Sequence, residues 1–119
     1  MKFNDKQSVY SQIATNIKRQ IYNGEVALGS ALPSVRSMAS EYQVTIKTIQ
    51  NTVVSLEEEG IIVKKAGVGT FVSDDRKVIN SSKEKYINEL RVDFFEGMKS
   101  IGINEDEAIK YILGGDKND

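Results

Sequence analysis

The sequence predicts a mainly α-helical fold with one small β-hairpin, followed by a shorter helical tail. Two observations carry this prediction. Apolar residues recur at helical spacing in five stretches, and two short β-prone runs flank a glycine-containing loop after the third stretch. A chain of 119 residues has room for one main domain and a small appendage. We therefore assign residues 1–75 to the main domain and residues 76–119 to the tail.

The first predicted helix covers about residues 6–22. Its apolar stripe repeats every four residues, and Gly24 suits the left-handed position that often follows a helix. The stripe consists of Val9, Ile13, Ile17 and Ile21.

The second and third predicted helices are short and are joined by a tight turn. Ser34 is positioned to cap a helix over about 34–42, and Thr45 is positioned to cap the next one, which ends at Gly60. Residues Ile49, Val53 and Leu56 form the predicted buried stripe of the third helix.

A β-hairpin is predicted next, with strands at 61–63 and 70–72 around a loop that contains Gly67 and Gly69. A third short strand is expected near residues 31–32.

The tail is predicted to begin with a charged linker at 74–77 and to continue with a helix over about 81–100. Asn104 is placed to cap a last short helix, which is expected to stop at Gly114-Gly115. The apolar residues of the longer helix follow a nearly heptad spacing. We predict that this stripe dimerises the chain, because a lone helix would expose it to water. The stripe consists of Ile87, Leu90, Phe94, Met98 and Ile101.

Three helices followed by a hairpin are the element order of a winged helix-turn-helix domain, whose third helix enters the major groove of DNA. The polar residues around the start of the third helix suit contacts with bases and phosphates, and Lys64 and Lys65 of the hairpin suit contacts with phosphates.

Several stretches resemble the GntR-type bacterial transcription regulators, in the family's order and spacing over about residues 8–73. They include Leu32-Pro33-Ser34-Val35-Arg36, Val44 to Ile49, Leu56 to Ile62 and Gly67 to Val72. The two-helix tail resembles the YtrA subgroup, in which it dimerises the protein. The resemblance implies a homodimer that binds a double-stranded DNA operator, usually as a repressor.

From the helix positions and the resemblance we predict ten DNA-contacting residues, which are Ser34, Arg36, Thr45, Ile46, Lys47, Thr48, Gln50, Lys64, Lys65 and Gly67. Four positions depart from the family pattern, which are Ser37, Gln43, Ile46 and Ala66. Gln43 stands where Gly is common, and a left-handed Gln costs about 1 kcal/mol. Ile46 stands where relatives often carry a polar or basic side chain, so the resemblance does not predict the operator sequence.

Composition excludes several classes of protein. The chain has no Cys and no His, which removes disulfides, Cys-based zinc sites and Ser-His-Asp chemistry. We therefore expect no enzyme, no metal and no cofactor. No apolar run approaches the roughly 20 residues that span a bilayer, and the start of the chain has no signal-peptide pattern. We expect a cytoplasmic protein without a membrane partner.

Other interpretations stay open. The net charge of −1 does not indicate nucleic-acid binding, so a winged-helix adaptor that binds only proteins is the alternative function. Arg36 lies about one helical turn from Glu41 and could form an ion pair with it. Lys64 and Lys65 could serve solely to keep the exposed hairpin soluble. A small-molecule effector is conceivable, but no sequence feature identifies one.

Overall fold

The computed structural model describes residues 1–114, so the predicted stop at Gly115 lies outside the described residues. Within them the predicted fold class is confirmed, because the chain is mostly helical with one two-stranded hairpin. The elements are α1 (Val9–Tyr22), α2 (Val35–Tyr42), α3 (Ile46–Glu58), β1 (Ile62–Lys65), β2 (Gly69–Val72), α4 (Arg76–Ser100) and α5 (Glu105–Ile112).

The first three helices begin at the side chains that cap them. Ser34 and Thr45 cap α2 and α3 as predicted, and Ser8 caps α1, which therefore starts later than the predicted residue 6. Each cap accepts a hydrogen bond from a backbone N–H of the first turn that has no partner within the helix.

The predicted apolar stripes form the core of the winged domain. Ile49, Val53 and Leu56 of α3 are almost completely buried, and they pack in one cluster with the stripe of α1. This burial fixes the rotation of α3 about its axis. The opposite side of the helix, which carries the polar residues of its first two turns, is therefore turned to solvent.

The turn between α2 and α3 requires a left-handed residue, and Gln43 adopts that conformation with φ 57° and ψ 50°. The Gln43 N–H caps α2, and the N–H of Val44 donates to the carbonyl of Ala39 at 3.0 Å. The turn is kept although Gln lacks the conformational freedom of Gly.

The hairpin has the predicted antiparallel pairing, with Val63 opposite Phe71 and Lys65 opposite Gly69. Gly67 lies in the connecting turn with φ 74°, where a side chain would strain the backbone. The predicted third strand is a single bridge between Ala31 and Phe71.

Helix α4 begins earlier than predicted, so residues 76 and 77 of the predicted linker at 74–77 are helical. The Asp75 carboxylate accepts hydrogen bonds from the backbone N–H groups of Lys77 at 3.0 Å and Val78 at 3.4 Å, as a helix cap does. Ile79, in the first turn, is buried in the core of the winged domain. The first of two compact units accordingly extends from Met1 to Ser82.

The second unit begins at Lys83 and contains the rest of α4 together with α5. Asn104 starts α5 with a complete capping box, in which its side chain accepts from the N–H of Glu107 and the Glu107 carboxylate accepts from the N–H of Asn104. Among residues 1–114, no helix combines the length and the apolar character needed to cross a bilayer. The assignment of DNA binding to residues 1–75 and dimerisation to residues 76–119 stays a prediction.

Candidate nucleic-acid interface

The start of α3 is built around two threonines. The Thr45 hydroxyl accepts from the backbone N–H of Thr48 at 3.2 Å, and the two hydroxyl oxygens lie 3.0 Å apart in a shared hydrogen bond. These hydroxyls therefore order the first turn. The other backbone N–H groups at the start of a helix lack a carbonyl acceptor within the helix, and such groups suit a phosphate oxygen.

The orientation of α3 is held by a buried threonine further along the helix. The Thr52 hydroxyl lies 3.1 Å from the carbonyl oxygen of Tyr10 in α1 and 3.0 Å from that of Thr48. The hydrogen bond to Tyr10 holds this side of α3 against α1. Ile46, Lys47 and Gln50 remain exposed on the other side.

The exposed side of α3 borders an open depression of about 360 Å³ that extends to the hairpin. Its lining includes three predicted site residues, Lys47, Gln50 and Lys64. Two ammonium groups thus border one concave surface between the third helix and β1, where a negatively charged backbone would be attracted.

Two further side chains of this surface were not predicted. Asn51 and Val54 line the same depression. The sequence contained a signal for them, because residues 47, 50, 51 and 54 follow the i, i+3, i+4, i+7 spacing of a single helix face.

The hairpin lysines have partners within the chain. The Lys64 ammonium lies 3.7 Å from a carboxylate oxygen of Glu57, and the Lys65 ammonium lies 4.6 Å from the centre of the Phe71 ring. Both lysines keep exposed side chains. The Glu57 contact lowers the positive potential near Lys64, a pairing that the sequence analysis did not include.

Ser34 and Arg36 lie at the start of α2. The Ser34 hydroxyl accepts from the backbone N–H of Ser37 at 3.0 Å, so it acts as a helix cap. Arg36 is exposed, and within residues 1–114 it forms no ion pair with Glu41. As far as residues 1–114 are concerned, its guanidinium is therefore accessible to another molecule.

The tip of the hairpin exposes an apolar residue beside the predicted Gly67. Val68 is 72% exposed, and nothing lies within 4 Å of the place where a Cβ at Gly67 would be. The tip is therefore a narrow, open projection, which another molecule is able to approach closely.

The predicted dimerisation stripe is exposed in the single chain. Leu90 is 51% exposed and Ile101 69%, Ile87 and Phe94 are also exposed, and Met98 is half-buried. Helix α5 and the residue that follows it add exposed apolar side chains that the stripe did not include, which are Ile109, Ile112 and Leu113.

This arrangement, three helices with an exposed third helix and a projecting hairpin, has counterparts among known proteins. The sequence profile of the bacterial regulatory proteins of the gntR family matches residues 9–72. The chain belongs to the gntR family. It is accordingly a DNA-binding transcriptional regulator, and the resemblance found in the sequence is confirmed.

Two curated relatives of this gntR-family chain match along nearly its whole length. The HTH-type transcriptional regulator YhcF of Bacillus subtilis (strain 168) is 32% identical over 111 residues, which are 93% of this chain and 92% of YhcF. The HTH-type transcriptional repressor YtrA of the same organism is 30% identical over 120 residues, with 93% of this chain and 92% of YtrA covered.

A solved structure supports the same assignment. A GntR family transcriptional regulator from Listeria monocytogenes superposes with a TM-score of 0.85 at 30% identity, covering 94% of this chain and 98% of the other. The similarity therefore includes the two-helix tail as well as the winged domain.

Proposed function

We propose that the protein is a transcriptional repressor that acts as a homodimer on a pseudo-palindromic operator. The observation that carries the proposal is the exposed first part of α3, where Lys47 and Gln50 border one depression with Lys64 of the hairpin. This is the side of the third helix that a winged helix-turn-helix domain presents to the major groove.

The basic residues of this surface hold the DNA backbone in the proposed complex. Arg36, Lys47 and Lys65 are exposed and bind phosphates, and Lys64 joins them by exchanging its Glu57 partner for a phosphate. Gly67 lets the hairpin tip run close to the sugar-phosphate backbone. These contacts position the domain without reading the base sequence.

Base reading falls to the exposed side chains of the first two turns of α3. Gln50 offers a carboxamide that pairs with the N6 and N7 atoms of adenine, and Ile46 offers an apolar surface. Thr45 and Thr48 support them by fixing the first turn. Ser34 does the same for α2.

The tail supplies the dimer interface in this proposal. The exposed stripe of Ile87, Leu90, Phe94, Met98 and Ile101 gains the hydrophobic free energy of burial only when a second copy covers it. A two-fold dimer carries two copies of α3, which reach successive major grooves about 34–36 Å apart.

Repression is supported by the match to YtrA, whose name describes a transcriptional repressor. A dimer bound at an operator occupies DNA that the transcription machinery needs.

Selection of bound duplexes from a random DNA pool tests the proposal. We expect an inverted repeat with half-site centres one helical turn apart, and an affinity that falls steeply with salt as counterions are released. An enriched sequence without two-fold symmetry, or a flat salt dependence, contradicts the proposal.

A pair of double variants assigns the DNA contacts. Arg36→Ala with Lys47→Ala is expected to weaken operator binding at least tenfold and to reduce the magnitude of the salt slope by about 3.6, since two phosphate contacts per copy, and therefore four per dimer, are removed. Lys85→Ala with Lys99→Ala removes the same charge from exposed positions of α4 and is the matched control. Equal loss in both variants would assign the effect to net charge alone.

The adaptor that binds only proteins is not retained as a candidate, because membership of the gntR family makes the chain a DNA-binding regulator and the Lys64–Glu57 ion pair neutralises only part of the basic surface. The same double variant distinguishes the two. The DNA affinity of an adaptor would be unchanged when Arg36 and Lys47 are replaced, whereas that of a regulator would fall.

A further inference from the structure

We infer that Ile46 reads the C5-methyl group of a thymine in each operator half-site. The inference rests on the proposed function and adds to it the chemical class of base that the first turn of α3 selects. The first observation is that Ile46 does not belong to the core. Ile46 is 39% exposed, whereas Ile49 in the same turn is completely buried.

Ile46 is the exposed apolar side chain in the first turn of α3, and the threonines on either side of it are hydrogen-bonded to each other. The hydroxyls of Thr45 and Thr48 are hydrogen-bonded to each other, and the Thr45 hydroxyl also accepts from the Thr48 backbone N–H. Ile46 has no group that donates or accepts a hydrogen bond. The contact it makes in the groove is therefore decided by shape and hydrophobicity.

The chemistry of the major groove limits the partner of such a side chain. Adenine, guanine and cytosine present hydrogen-bonding atoms there, and only thymine adds a methyl group. An isoleucine that covers a polar base edge removes that edge from water without replacing its hydrogen bonds, which costs free energy. Against a methyl group the same side chain buries apolar surface on both partners.

The position of Gln50 indicates where in the half-site the thymine lies. Gln50 is four residues after Ile46, so the two side chains share a helix face about 6 Å apart along the axis. Base pairs are stacked at about 3.4 Å. The pair therefore spans one or two base-pair steps, and a Gln that selects adenine next to an Ile that selects thymine gives an A·T-rich core to each half-site.

The test replaces thymine with deoxyuridine, which lacks only the methyl group, one position at a time in the operator obtained by selection. The wild-type chain is expected to lose about fourfold in affinity at one thymine per half-site, since that factor corresponds to burial of one methyl-sized group. The Ile46→Ala variant is expected to bind the two duplexes equally. Ile46→Val is expected to keep most of the discrimination.

Val92→Ala is the matched control, because Val92 is an exposed apolar helical residue of α4 that belongs neither to the surface of α3 nor to the dimerisation stripe. This variant is expected to discriminate thymine from deoxyuridine as the wild type does. A duplex with 5-methylcytosine at the same position, compared with cytosine, separates the two sources of the methyl group. Equal gain from that methyl would show that Ile46 reads any 5-methylpyrimidine, and it would overturn the restriction to thymine.

The outcomes separate this inference from the proposed function. If no sequence is enriched from the pool, the proposed function fails. If an operator is bound but no thymine is sensitive, or if the sensitivity persists in Ile46→Ala, the inference is wrong while the operator-binding proposal stands.

Discussion

The two units of this chain differ in how far their apolar side chains are buried. In the first unit, the stripes of α1 and α3 are buried together, and Leu56 is completely inaccessible. In the second unit, as far as residue 114, only Ala108 is buried, and Leu90 is 51% exposed. The same residue type therefore stabilises the fold in one unit and faces water in the other.

This difference shows which part of the molecule forms its own hydrophobic core in a single chain. The winged domain has its own core and keeps its polar and basic side chains on the outside of α3. The second unit, from Lys83 to residue 114, has helices but buries little apolar surface, so its exposed apolar side chains stabilise the protein only if another surface covers them. We propose that the covering surface is a second copy.

Removal of the tail is the largest test of this comparison. A chain ending at Ser82 is expected to be a folded monomer that binds the operator at least 100-fold more weakly, because each monomer then binds its half-site separately. Sedimentation and fluorescence anisotropy measure the two effects. The end at Ser82 keeps Ile79, which a cut after Lys77 would remove from the core. A shortened chain that still sediments as a dimer would place the interface in the winged domain.

A matched pair of leucine substitutions sharpens the comparison. Leu56→Ala is expected to lower the free energy of unfolding by about 2–5 kcal/mol, because it leaves a cavity in the core. Leu90→Ala is expected to change the free energy of unfolding of the monomer by no more than about 0.5 kcal/mol, because the side chain is exposed. In turn, Leu90→Ala should raise the dimer dissociation constant. Chemical denaturation and sedimentation at several protein concentrations measure both quantities.

The smallest expected effect concerns the turn between α2 and α3. Gln43→Gly is expected to stabilise the protein by about 0.5–1 kcal/mol, because Gly removes the cost of the left-handed conformation and gives back part of that gain through the flexibility of the unfolded chain. Thermal denaturation measures this change in stability. Ser40→Gly, at an exposed helical position of α2, is the control and should be destabilising.

Much of the fold could be predicted from local signals. Ser34, Thr45 and Asn104 mark helix starts because their side chains cap backbone groups nearby in sequence, and the periodicity of Ile49, Val53 and Leu56 indicates the buried face of α3. The start of α4 was missed because Asp75 resembles part of a charged linker. The burial of Ile79 against residues distant in sequence, which accompanies this early start, is not visible in the spacing of residues along the chain.

The candidate site was predictable to a lesser extent. Periodicity identified the exposed face of α3, since it follows directly from the buried one. The pairing of Lys64 with Glu57 connects the hairpin with the end of α3, and the contact of Lys65 with Phe71 crosses the hairpin. Such contacts depend on how elements pack, which the spacing of residues along the chain does not show.

The central claim is that two copies of residues 45–50 contact neighbouring grooves on one face of a single duplex. Insertion of five base pairs between the two half-sites of the selected operator tests it most directly, because about half a helical turn moves one half-site to the opposite face. We predict that affinity falls at least 100-fold, to the level of a duplex with one half-site. Affinity that is unchanged by the insertion would contradict the account.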